Sequence, residues 1–295
     1  MSRFSIGQIR RYYDRNTEAF LAYGQGGSIG TIHRAVWGPG VSDRTQAFRY
    51  PEDRIVDLLR ALPAREEPLH VVDLGCGVGA TLRHLAGQLP IRGTGVTLSP
   101  VQARIAERDT REAGLAERVR CFEGDYCALP ELIGAADFAY AIESFIHGPD
   151  PARFFAECRR VVRPGGLLAI CDDFALADRS RVSARTFEEF ERGWHVNSLV
   201  TADELHALAA DAGFAHRITH DLTPYLELGR PRDHAIALLV PALRRLPIAH
   251  PRIAALLGGA ALQECLARGA VGYHLAVFER VADAFAERPA AAAAQ

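Results

Sequence analysis

The chain has no lysine: all 34 of its basic residues are arginine, set against 36 acidic ones, for a formal net charge of −2. That bias is what a GC-rich coding sequence produces, and the arginine count alone does not argue for phosphate binding. Without an excess of positive charge there is no electrostatic reason to expect nucleic acid or an acidic membrane as a partner. Paired cysteines are missing as well. None of the six cysteines forms a Cys-x-x-Cys pair, and Cys121 and Cys127 have no histidine at zinc spacing. This argues against a disulfide framework and a zinc site; the thiols are expected to be reduced and buried, with no metal. The N-terminus, MSRFSIGQIRRYYD, lacks the apolar run of a secretory signal, and no apolar stretch reaches membrane-spanning length. A cytoplasmic location without a membrane span is the expectation. No internal repeat is visible. The tail PAAAAAQ is low-complexity and expected to fray.

What is present is a globular chain of 295 residues, long enough to bury a core unaided. Phe4 to Tyr23 reads as a helix, followed by the glycine-rich GQGGSIG and the aromatic-bearing TIHRAVWGPGV. Arg54 to Leu62 is an amphipathic helix. From Leu69 onward strands and helices alternate. LHVVDLG, GTGVTL, VRCFEGD, FAYAIES and LLAICDDF read as strands, and GATLRHLAGQL, SPVQARIAERDTREAG and PARFFAECRRVV as helices, the last ending at a turn, RPGG. Strands this apolar, without in–out alternation, indicate a parallel sheet covered on both faces. Ala175 to Asn197 is polar, arginine-rich and helical. Thr201 and Glu204 form a capping box ahead of TADELHALAADAGF. HRITHDLTPYLE and GYHLAVFERV are two further strands, which complete a seven-stranded sheet if the last runs antiparallel.

The strongest local signal is VVDLGCGVGATL: a strand delivers Asp73, then Gly75-x-Gly77-x-Gly79, and a helix begins. Glycines there let the backbone turn sharply and let a ligand lie against it. The dinucleotide fingerprint would want a third glycine at Ala80, which is absent. With its preceding acidic residue, D-L-G-C-G-x-G resembles the loop of class I S-adenosylmethionine-dependent methyltransferases, and the resemblance covers roughly Leu69 to Phe174. It implies S-adenosyl-L-methionine as cofactor, with Gly75, Gly77 and Gly79 against its amino-acid end and Asp73 receiving its ammonium. Most such enzymes place a carboxylate on the ribose at the end of the second strand. Here the string is GVTLSPVQ, similar to the cyclopropane-fatty-acid synthase group, where a glutamine makes that contact, so the role passes to Gln102 with Thr97 beside it. Asp125 and Tyr126, after the third strand, correspond to the adenine site, and Tyr13 to the entry helix.

Past the fourth strand comes AIESFIHGPDP. A glutamate in this place resembles cyclopropane synthases and bacterial terpenoid C-methyltransferases, which include geranyl diphosphate methyltransferases and the teleocidin-type enzyme. The strings HDLTPYLELGRPR, GAVGYHLAVFERV and YYDRNTEAF extend that likeness. Methylating a C=C bond makes a carbocation, which a buried carboxylate stabilises and deprotonates, and which aromatic faces hold. The resemblance therefore implies Glu143 as the catalytic base, with His147 and Tyr273 as further catalytic candidates and Trp37, Trp194, Asn197 and Tyr225 as acceptor contacts. Methylation in this group can trigger ring closure. A diphosphate on the acceptor would use Arg179, Arg181, Arg185 and Asn197; the diphosphate enzymes carry a histidine-rich N-terminal string where this chain has only His33. A prenylated aromatic is as compatible as a free prenyl diphosphate.

Three other readings stay open: oxygen or nitrogen methylation oriented by His147 or Tyr273, a nicotinamide-dependent oxidoreductase, and a catalytically silent binding protein. The expected architecture is α/β, a Rossmann-like seven-stranded, mostly parallel sheet with helices on both faces and an N-terminal plus inserted helical cap. Its expected divisions are a cap at 1–64, the cofactor-binding core at 65–174, an inserted cap at 175–200, the remainder of the sheet at 201–284 and a disordered tail at 285–295. The N-terminal helix, with glycines behind it, is expected to exchange between subunits of a homo-oligomer. The acceptor is a small isoprenoid or prenylated molecule.

Overall fold

A computed structural model describes residues 3–23, 29–244 and 251–282; the expected tail, 285–295, lies outside them, as does most of the GQGGSIG stretch. Seven strands form one sheet in the order β3-β2-β1-β4-β5-β7-β6. They are β1 (His70–Leu74), β2 (Arg92–Thr97), β3 (Val119–Glu123), β4 (Ala136–Ile142), β5 (Val162–Ala175), β6 (Phe214–Asp221) and β7 (Val271–Arg280). All neighbours pair in parallel except β7, which runs antiparallel to both β5 and β6. Strands β1 and β4 are buried along almost their whole length, as their unbroken apolar runs require in a sheet covered on both faces.

Helix boundaries follow local chemistry. Ser99 accepts from the Gln102 amide at the start of α4 (Pro100–Glu112), with proline in the first turn. Asp150 caps α5 (Pro151–Val161), and the Thr201–Glu204 capping box opens α7 (Ala202–Asp211). Helix α2 (Arg44–Ala61) starts a decade of residues earlier than its amphipathic half suggested, because Asp43 accepts from Gln46 and caps a polar first turn. The remaining early helices are α1 (Ile6–Tyr23) and α3 (Ala80–Gln88).

Two expectations are corrected. RPGG does not separate α5 from its strand: β5 starts at Val162, and the four residues form a bulge between the Ala136–Val162 and Phe138–Leu167 pairings, with Gly165 at φ 76°. The stretch 201–284 does more than finish the sheet. Residues within it form α8 (Pro231–Leu243) and α9 (Pro251–Ala267). α9 packs on α6 (Ala184–Gly193), burying Phe190, Leu262, Cys265 and Leu266 with Ile146 and Val196. The cap is thus built from two separated parts of the chain. Helices α8 and α9 are apolar with little one-sidedness, so they lacked the periodicity that reveals a surface helix.

Candidate active site

Strand order reverses between β1 and β4, the switch point at which open parallel sheets bind ligands beyond the strands' carboxyl ends. A cavity opens there, walled by the loop after β1, the turn after β4, helix α1 and the cap.

One part of the wall is built by the loop after β1. Gly75, Gly77 and Gly79 all have positive φ, a region that favours glycine. Their surroundings differ. A Cβ on Gly75 would strike the Ser144 side chain at 2.3 Å, and one on Gly79 would meet Cys121 Sγ at 3.0 Å; Gly79 is not in the cavity wall and serves helix packing. At Gly77 a Cβ would meet nothing nearer than Ile32 Cδ1 at 3.9 Å and Gln102 Nε2 at 4.0 Å. That position is an open shelf. Gln102 is 3% exposed, and its Oε1 accepts from the Thr97 hydroxyl at 2.7 Å, which turns the amide and fixes its N–H₂ as the remaining donor. Asp73 is 3% exposed, and its carboxylate accepts from the Tyr140 hydroxyl at 2.8 Å. Burial pushes its pKa up to about 7, with a further push from Glu52. A buried carboxylate bonded to a neutral hydroxyl, beside an open shelf and a buried amide donor, fits the ammonium and ribose of S-adenosyl-L-methionine.

The turn after β4 brings Glu143 into the same cavity wall. It sits at φ 48°, a strained conformation for a residue with a Cβ. Its Oε1 accepts from the Arg34 backbone N–H at 2.8 Å, Arg34 Nε at 3.1 Å and the Tyr273 hydroxyl at 2.9 Å. Burial opposes its charge, yet Arg34 and then His33 hold its pKa below the usual carboxylate range. Arg34 also grips Asp173 through Nη1 and Nη2, at 2.9 and 2.7 Å, and lies 4.3 Å above the Tyr273 ring. Asp172, whose pKa burial lifts to about 8, accepts from the Ile146 and Asp173 amides and ties β5 to the turn carrying His147. His147 is neutral, because burial holds its pKa down to about 4. Its Nδ1 lies 3.3 Å from the His195 carbonyl. That contact puts the proton on Nδ1 and leaves Nε2 as an acceptor.

Of the residues singled out from sequence, Tyr13, Tyr126 and Trp194 join Asp73, Gly75, Gly77, Thr97, Gln102, Glu143 and His147 in the wall. Tyr273 reaches the site through Glu143. Others lie elsewhere, and each has a structural task. Trp37 packs with Ala35, Ala47 and Phe48, while its amide donates to the Tyr225 carbonyl. That pairing belongs to the Val36–Leu226 bridge, which takes both aromatics away from the cavity. Asn197 bonds both backbone groups of Phe4 and the His147 carbonyl, so it fastens the N-terminal segment rather than meeting an acceptor. Asp125 accepts from the Cys127 amide and is absent from the wall. Arg34, Asp172, Asp173 and the buried Glu52–His33 pair were missed. The acidic pair ending the buried run LLAICDDF was a legible signal, since ligands of such sheets bind at strand carboxyl ends.

Residues 72–170 match a family model described as a methyltransferase domain. Those residues therefore form a methyltransferase domain. Among similar proteins, the 24-methylenesterol C-methyltransferase 2 of Oryza sativa subsp. japonica is 32% identical over 180 residues, which is 60% of this chain and 48% of the relative. The O-methyltransferase cnsE of Penicillium expansum is 37% identical over 189 residues, 63% of this chain and 65% of the relative. The chain spans about half the length of the first curated relatives it matches. The geranyl diphosphate C-methyltransferase from Streptomyces coelicolor A3(2), solved with Mg²⁺, geranyl diphosphate and S-adenosyl-L-homocysteine, shares the fold at TM-score 0.71 and 20% identity over 95% of this chain and 100% of that one. Among the described residues no helix is long and apolar enough to cross a membrane.

Proposed function

We propose that the chain is an S-adenosyl-L-methionine-dependent C-methyltransferase that adds a methyl group to an alkene carbon of a terpenoid or prenylated acceptor. The observation that carries this is Glu143: a partly buried carboxylate in the wall of the cavity that the glycine loop also lines, held by Arg34 and Tyr273. The names of the sterol and geranyl diphosphate C-methyltransferases above support the same reading. The cofactor supplies an electrophilic methyl on a sulfonium that carries its own leaving group. Asp73 receives the ammonium, the Gly77 shelf accepts the amino-acid end, and Gln102, aligned by Thr97, donates to the ribose. The apolar cap side, with Ile146, Phe190 and Trp194, orients the acceptor and keeps water out. Glu143 stabilises positive charge developing on the acceptor and takes the proton that restores the alkene. Its three hydrogen bonds all fall on Oε1, so Oε2 is the oxygen assigned to that transfer. Where deprotonation is slower than ring closure, cyclisation follows methylation.

Incubation with labelled S-adenosyl-L-methionine and a panel of prenyl alcohols, prenyl diphosphates and prenylated indoles, read by mass spectrometry, tests this. One acceptor should gain a methyl on carbon, and Glu143→Gln should slow the step by about a hundredfold or more. A second reading is favoured by His147, a neutral imidazole in the wall with its ring edge-on to Tyr13, and by the O-methyltransferase relative. It assigns Nε2 of His147 to orient a hydroxyl. A product methylated on oxygen, lost in His147→Ala and retained in Glu143→Gln, would establish it instead.

A further inference from the structure

We propose that Arg34 and Asp173 are positioning residues that set the ionisation of Glu143, with one guanidinium dividing its charge between two carboxylates. This rests on Glu143 being the reacting carboxylate. The division is unequal by geometry. Asp173 takes the end-on edge of the planar guanidinium, Nη1 and Nη2, with both of its oxygens. Glu143 is left with Nε. The guanidinium face is closed by Tyr273 at 4.3 Å, so Arg34 is not free to turn toward an anionic ligand.

Position and charge of Glu143 have only partly separate sources, since the backbone and hydroxyl bonds that place it also favour its ionised form. The Arg34 backbone N–H and the Tyr273 hydroxyl hold Oε1 in place whatever side chain stands at 34. The guanidinium adds the charge. Asp173, 2% exposed on β5, has its amide anchored on Asp172 and competes for that charge. The other groups facing Glu143 are Tyr13 from α1, His33 from the segment before α2, His147 from the turn after β4, Cys171 and Asp172 from β5, and Tyr273 from β7. His274 of β7 faces Asp173. Of these, Arg34 makes the closest charged contact with Glu143.

The test is a pH titration of ¹³C-labelled glutamate carboxyl groups by NMR in the full chain, with the Glu143 resonance assigned by its loss in Glu143→Gln. Asp173→Asn gives Glu143 the whole guanidinium, so its midpoint falls. Arg34→Met alone strands two buried carboxylates and endangers folding. The double variant Arg34→Met with Asp173→Asn strands only one, and its Glu143 midpoint rises by about one pH unit or more, at least tenfold in proton affinity. Opposite shifts are the signature that a purely structural role does not produce. Shifts in the same direction, or none, overturn the relay. If the wild-type midpoint lies below acid unfolding, the double variant must raise one into view, and its failure to do so also overturns it. Full turnover in Glu143→Gln would instead remove the reaction assignment, with these midpoints still readable.

Discussion

Asp73 gives the donor side a pH dependence whose sign can be worked out. Its folded pKa, about 7, lies above the ordinary aspartate value of about 3.9. The ligand-free protein therefore favours the protonated form, and this group's contribution to stability is complete below the ordinary value and lost as pH rises through 7. An ammonium needs the ionised form. Calorimetric affinity for S-adenosyl-L-homocysteine should strengthen about tenfold per pH unit up to about 7 and then level off. In Asp73→Asn it should be weak and flat across that range; an unchanged slope would remove Asp73 from the ammonium site. The turn at Asp73 and the glycines was legible in sequence because a loop of backbone needs particular residue types at fixed spacing. Arg34 was not, because a residue more than a hundred positions from Glu143 meets it only through the fold. Trp37 and Tyr225 misled for the converse reason: an aromatic side chain announces burial but not which side of a bridge it faces.

At the scale of elements, the sheet was readable since apolar runs, glycine stops and caps are local. The cap was half readable. Helix α6 declares itself by its charged face, but α9 is defined by what it touches. The two cross so closely that a Cβ on Gly258 would lie 2.7 Å from Gly193 Cα and 2.9 Å from Trp194 Cδ1. Gly258→Ala should cost about 1–3 kcal/mol through overpacking, seen as a lower Tm. Since Trp194 lines the cavity, the same change should alter acceptor KM while cofactor affinity stays within about twofold. A variant with wild-type Tm would show that the crossing relaxes freely.

For the whole molecule, α1 is part of the site. Asp14 accepts from the Ser99 hydroxyl at 2.5 Å, Arg10 meets Glu123 at 2.9 Å, and Ile9, Tyr12, Tyr13 and Phe20 wall the cavity. Removing residues 1–28 should leave the sheet folded, as read by circular dichroism, but weaken S-adenosyl-L-homocysteine binding by about tenfold or more; undiminished affinity would make α1 dispensable to the donor. The reversal of strand order has a further consequence. The glycine loop and the turn that bears Glu143 spring from β1 and β4, adjacent strands locked in register by backbone pairing, while other parts of the cavity wall come from helices outside the sheet. Changes in the helical cap can therefore reshape one part of the cavity while the spacing between the glycine loop and Glu143 stays fixed, and if the proposed reaction holds, a cap transplanted from a relative should change what is methylated before it changes whether methylation occurs.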